Sequence, residues 1–183
     1  KEVLTPQLLG IQSPPMADLL EAHGTTLPHV LIRFGRWQDI LDLEFPTDRE
    51  LYCSTTAMIH YARGIAFAAL RRVPEAEAER EKFIDAVAAV PDSRFNSIPV
   101  PELQALAIAR KMLDGELEYR KGNIEEAFSL LREAIALVFR KFAEFQSVRQ
   151  VHLWLRQERI RLPAARASLY NYQRNSKIFE KAL

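Results

Sequence analysis

Along this chain apolar residues recur every third or fourth position and are broken at intervals by Gly or Pro, the pattern of amphipathic helices joined by tight corners. Residues 1–28 form a lead-in, where Pro6, Pro14, Pro15, Gly24 and Pro28 leave room for one short helix from about Met16 to His23. From His29 to Leu43, Val30, Leu31, Phe34, Trp37, Ile40 and Leu41 keep helical spacing on either side of Gly35, so two short helices are expected to meet there, with Trp37 anchoring the corner. Thr47 and Glu50 have the spacing of a reciprocal cap, which predicts a long helix after Thr47 running to about Arg72. Its stripe is Ala57, Met58, Tyr61, Ala62, Ile65, Ala66 and Ala69, and Gly64 and Ala68 are small enough to let a neighbour approach.

Pro74 suits the first turn of the next helix, where its missing amide costs nothing, and that helix is expected to end near Val90. A loop from Arg94 to Pro101 follows. Leu103, Leu106, Met112, Leu113 and Leu117 then line one helix up to Gly122, and Ile124, Ala127, Phe128, Leu131, Ala134, Ile135 and Val138 line the next.

Three corners repeat in sequence: Gly35-Arg36-Trp37-Gln38-Asp39-Ile40, Arg72-Val73-Pro74-Glu75-Ala76-Glu77 and Gly122-Asn123-Ile124-Glu125-Glu126-Ala127. In the third, Gly115, Gly122, Ala127, Leu131 and Ala134 stand where the tetratricopeptide repeat places its packing residues. In the second, Gly64 and Ala76 fit, with Arg71 or Arg72 in place of the corner glycine. On these residues the segment of about 13–138 resembles the tetratricopeptide repeat (TPR) family, although corners about 37 and 50 residues apart depart from the regular period of about 34.

The fold class expected is all-α: stacked antiparallel helical hairpins, a TPR-like α-solenoid over residues 29–139, with a helical C-terminal extension over 140–183 packed on it. What the resemblance implies is a surface formed by the first helix of each pair that takes a peptide or a partner helix. Arg33, His60, Arg63, Arg110 and Lys111 are the polar residues expected to contact it. Members that clamp a terminal carboxylate do so with Lys and Asn, and the matching helices here lack the asparagines, so that clamp is not expected.

Residues 138–163, including Val138-Phe139-Arg140-Lys141-Phe142 and Ser147-Val148-Arg149-Gln150-Val151-His152-Leu153-Trp154-Leu155, resemble a recombinase-domain segment of large serine recombinases. That segment lies outside their catalytic domain, and at Phe145-Gln146 this chain departs from the usual Gly before the Ser. The resemblance implies DNA contact at most. A helix over about 148–160 would group Arg149, His152, Arg156 and Arg159 as a basic stripe, continued by Arg161, that suits phosphates. Tyr170 and Tyr172 near Arg174 could stack on bases or cover the end of the helical stack.

Charge sharpens this contrast. The chain's net charge is +1, yet residues 1–139 hold 15 Lys+Arg against 21 Asp+Glu and residues 140–183 hold 10 against 3. A basic segment of this kind either meets nucleic acid or docks on the chain's own acidic body.

Only 6 Gly and few alternating β-branched runs argue against an all-β fold. One cysteine, Cys53, and no run of about 20 apolar residues point to a reducing, cytoplasmic setting without a membrane partner. Cys53 and His60 lack a third metal ligand nearby in sequence, Glu75, Glu77, Glu79 and Glu81 read as a solvated first turn, and no glycine-rich phosphate loop or nucleophile motif occurs. No enzyme, catalytic residue, metal or cofactor is therefore expected. The expected function is a non-catalytic interaction scaffold, and the alternative is DNA binding through the basic C-terminal helices.

Overall fold

A computed structural model of the chain describes residues 3–97 and 100–144, so the basic segment beyond Glu144 lies outside the described residues. The chain divides into two compact units, Lys1–Ala136 and Leu137–Leu183, and the packing described below belongs to the first. Among the described residues the protein is helical, apart from a two-stranded antiparallel ribbon.

Three helical hairpins follow the lead-in. α3 (Thr26–Arg33) pairs with α4 (Trp37–Leu41), α5 (Cys53–Ala69) with α6 (Val73–Ala88), and α7 (Glu102–Lys121) precedes α8 (Ile124–Glu144) across a single corner. Their corners share one backbone geometry. Gly35, Arg71 and Gly122 have φ of 64°, 60° and 90°. At each, the corner amide bonds the carbonyl three residues back and the next amide the carbonyl five back: Gly35 to Ile32 and Arg36 to Leu31, Arg71 to Ala68 and Arg72 to Phe67, Gly122 to Tyr119 and Asn123 to Glu118. This double bond satisfies the last free carbonyls of the first helix and demands a left-handed residue at the corner. The second helix then opens at the same offset, with Ile40, Ala76 and Ala127 donating to Arg36, Arg72 and Asn123. Ile40, Ala76 and Ala127 are all fully buried.

Close helix approach depends on two glycines. A Cβ at Gly64 would sit 2.9 Å from Leu113 Cδ1 and 3.7 Å from the Ala76 carbonyl, and one at Gly115 would sit 2.8 Å from Leu131 Cγ and 3.2 Å from the Ala127 carbonyl. The same position in both hairpins thus faces the alanine twelve residues on. α5 is buried on nearly every side and packs against α3, α4, α6 and α7, which explains why its small and apolar residues surround it instead of forming one stripe. Phe83, Leu106, Leu113 and Leu117 close the core around Ala57, Met58 and Tyr61.

Several boundaries differ from expectation. The lead-in holds α1 (Pro6–Leu9) and α2 (Met16–Leu20), then a 3₁₀ segment Glu21–Thr25, where one short helix was expected. α5 begins at Cys53, not after Thr47: Asp48 takes the local capping role through the Leu51 amide at 2.9 Å, and the helix itself is capped from a distance. Glu21, fully buried in the 3₁₀ segment, accepts from the Ser54 amide at 3.1 Å and the Thr55 amide at 2.8 Å. A carboxylate placed so meets both free amides and the positive end of the helix. The stretch read as a plain loop is the ribbon of β1 (Phe95–Ser97) and β2 (Val100–Pro101), with Phe95 opposite Pro101. No helix among the described residues is long and apolar enough to cross a membrane.

Candidate functional site

Between α4 and α5 the chain runs without regular helix from Asp42 to Tyr52, and this strap crosses the flank of α5. Two cavities lie nearby: Phe45 lines the first, and His60 and Arg49, which contact its ring, line the second. One, of about 600 Å³, has walls from the lead-in (Val3, Leu4, Gly24), α3 (Leu27, Pro28), the strap (Leu43, Phe45, Pro46) and α5 (Ile59). The Thr55 hydroxyl, buried and without a hydrogen-bond partner, belongs to the same wall. The other cavity, of about 350 Å³, is lined by Arg49, Cys53, Thr56, His60, Lys82 and Asp85 together with Ala86 and Ala89.

Phe45 is half-buried and held by stacking. Its ring centroid lies 4.5 Å from that of His60, and the Arg49 and Arg63 guanidinium carbons lie 4.7 Å and 5.6 Å from its centre. A cation over an aromatic face is worth about 0.5–1 kcal/mol at exposed sites, so the ring is fixed by electrostatics as much as by burial.

Beneath it lies an ionic cluster. His60 Nδ1 donates to Glu79 Oε2 at 2.7 Å, Lys82 Nζ lies 2.9 Å and Arg63 Nε 3.8 Å from Glu79 Oε1. Burial alone would push the Glu79 carboxyl up, but the hydrogen bonds from His60 and Lys82, with their charge, hold it below the ordinary value near 4.5. The cluster ties α5 to α6 and leaves positive charge at its rim. The Cys53 thiol is two helical turns from His60, about 10 Å of rise, too far for the imidazole to act on it. Among the described residues no group of three His, Cys, Asp or Glu side chains is arranged to hold a metal ion.

The five residues expected to meet a ligand are dispersed. His60 and Arg63 come together on Glu79, whereas Lys111 bonds Glu133 of α8 at 2.7 Å and Arg110 lies 3.8 Å from Asp114 on its own helix. Arg33 is exposed in the last turn of α3. His60 and Lys111 each stand four residues before the close-approach glycine of their helix, and each bridges to the second helix of its hairpin. These two residues brace hairpins. Arg149, His152, Arg156, Arg159 and Arg161 lie outside the described residues.

Sequence reasoning missed Phe45, Arg49, Thr55, Lys82 and Glu79. Glu79 was read as solvated, yet it is 5% exposed. A partial signal was available, because helices of a hairpin run back along each other, and His60 and Glu79 lie on opposite arms of the corner at Arg71. Nothing periodic marks Phe45, since the strap has no repeat.

No family model matches the chain, and no solved structure matches it. Stretches of 23 residues are 96% identical to the amino-acid acetyltransferases of Pseudomonas fluorescens (strain Pf0-1) and Pseudomonas putida, and 91% identical to that of Ectopseudomonas mendocina (strain ymp). These matches cover 13% of this chain and 5% of each relative. So short a segment is smaller than one of the longer hairpins described above and carries no fold or active site with it.

Proposed function

We propose that the protein is a non-catalytic interaction scaffold built on tetratricopeptide-like hairpins, which takes an extended peptide or a partner helix on the side of its first helices. One observation carries the reading: the 600 Å³ mainly apolar cavity takes part of its wall from α3 and α5, the first helices of two successive hairpins, and is completed by the strap and the lead-in. Cavities of about 300–1,000 Å³ with apolar walls and few polar groups are the usual form of a ligand site. The shared corner geometry and the repeated glycine-to-alanine approach support a repeat architecture, in which function resides in the exposed surface and not in reacting groups. In a reducing, cytoplasmic setting the buried Cys53 stays a thiol.

The test is selection of random dodecapeptides displayed on phage against the whole immobilised chain, followed by affinity measurement on the enriched sequences. Enriched peptides with micromolar or tighter affinity support the scaffold. Absence of enrichment, together with binding of labelled duplex DNA that weakens steeply between about 50 and 200 mM salt, supports the DNA-binding alternative instead.

A further inference from the structure

α8 carries an apolar stripe that its own hairpin leaves uncovered. Ile124, Phe128 and Ile135 are 44%, 47% and 54% exposed, and Leu131 between them is half-buried. At 3.6 residues per turn these four fall within about 60° of arc, and their alternating four- and three-residue spacing is that of the seam positions of a heptad. The buried Ala127 and Ala134 form one flank of the stripe, and the exposed Glu125 and Arg132 form the other. Neither Glu125 nor Arg132 makes an ion pair among the described residues. The helix's neighbouring acids are engaged elsewhere: Glu133 bonds Lys111 at 2.7 Å, and Glu126 lines a cavity shared by α6, α7 and α8. An exposed apolar stripe rimmed by charge marks an association surface.

The order of the two charges identifies what associates there. Glu125 and Arg132 are one heptad apart, about 10.5 Å along the helix, and their midpoint falls one residue from that of the four apolar residues. A second α8 laid antiparallel across that midpoint sets Ile124 against Ile135 and Phe128 against Leu131 of the other copy, and brings each Glu125 beside the other copy's Arg132. A parallel copy would instead face these charges with Ala127 and Ala134. We propose that the chain self-associates as a two-fold dimer through α8, with Ile124, Phe128, Leu131 and Ile135 as the apolar seam and two Glu125–Arg132 pairs fixing the antiparallel direction. The seam shares no residue with the cavity between α3 and α5, so this inference stands apart from the scaffold reading.

Sedimentation equilibrium of the whole chain between about 10 and about 500 μM is expected to show monomer and dimer in exchange. Glu125→Arg and Arg132→Glu each place two like-charged pairs across the seam and weaken association roughly tenfold. Mixed in equal amounts, the two variants regain the parent's association, because every charge pair across a mixed dimer is then of opposite sign. Ile135→Asp removes dimers, with circular dichroism verifying that the helices persist. The proposal is overturned if the parent stays monomeric at about 500 μM, which leaves the stripe to another occupant such as a partner helix. It is overturned as well if the mixed variants associate no better than either alone, or if dimers form regardless of Ile135→Asp.

Discussion

Glu21 holds the start of the central helix from another part of the chain, and removing its charge should cost more than any surface change. Its two oxygens accept from Ser54 and Thr55 at 3.1 Å and 2.8 Å, and the carboxylate is fully buried. Hydrogen bonds to a charged group contribute about 1.5–3 kcal/mol each, and a buried amide left unpaired costs about 1–3 kcal/mol. Glu21→Gln keeps the shape but turns an NH₂ toward one amide, so about 2–3 kcal/mol should be lost. Glu21→Ala frees both amides and leaves a void, for about 3–5 kcal/mol. With a urea slope of about 2 kcal/mol/M, the Gln variant should unfold at about 1–1.5 M less urea, read by circular dichroism at 222 nm. A midpoint within about 0.2 M of the parent would refute the claim that this carboxylate caps α5.

Three further predictions follow from the same packing. Glu102 is fully buried with no well-formed hydrogen bond among the described residues; burial pushes its carboxyl up, Asn96 offsets part of that, and the Glu21 charge adds to it. The folded state therefore holds this proton more tightly than the unfolded chain, and stability falls as pH rises from the unfolded value through the raised one. Glu102→Gln should remove that loss, so urea midpoints measured between pH 5 and 8 should vary less in the variant than in the parent. Arg71 occupies a left-handed corner where the other two hairpins have glycine. Arg71→Gly should stabilise by about 0.5–1 kcal/mol and Gly122→Ala destabilise by about 1 kcal/mol, both seen as shifts in melting temperature. Gly115→Ala would drive a Cβ to 2.8 Å from Leu131 Cγ and 3.2 Å from a backbone oxygen, so overpacking of about 1–3 kcal/mol should outweigh its gain of about 1 kcal/mol in helix propensity. Gly64→Ala meets mainly the movable end of Leu113 and should be milder in the same denaturation assay.

Local rules explain which features were legible beforehand. Corner glycines, Pro74 in a first turn and the small residues of α5 act through backbone sterics within a few residues, so the hairpins could be placed from the sequence. The start of α5 could not, because its cap comes from Glu21, more than thirty residues away, and a matching Thr47–Glu50 spacing gave a false local signal. The candidate site was harder still. His60 and Arg63 were singled out as ligand contacts, but whether a polar side chain on a first helix faces a groove or its own partner helix depends on what stands opposite, here Glu79. Phe45 lies in a strap without periodicity, and besides the nearby Arg49 its position is fixed by two non-local contacts, with His60 and Arg63.

The central claim is that the first helices present the binding surface. Hydrogen–deuterium exchange of the whole chain, with and without a display-selected peptide at saturation, tests it directly, because binding slows exchange where backbone opening is suppressed. Protection is predicted along α3, the strap from Asp42 to Tyr52 and the first half of α5, with α6 and α8 unchanged. Protection confined to residues 140–183, or induced there by duplex DNA and nowhere by peptide, would contradict the account.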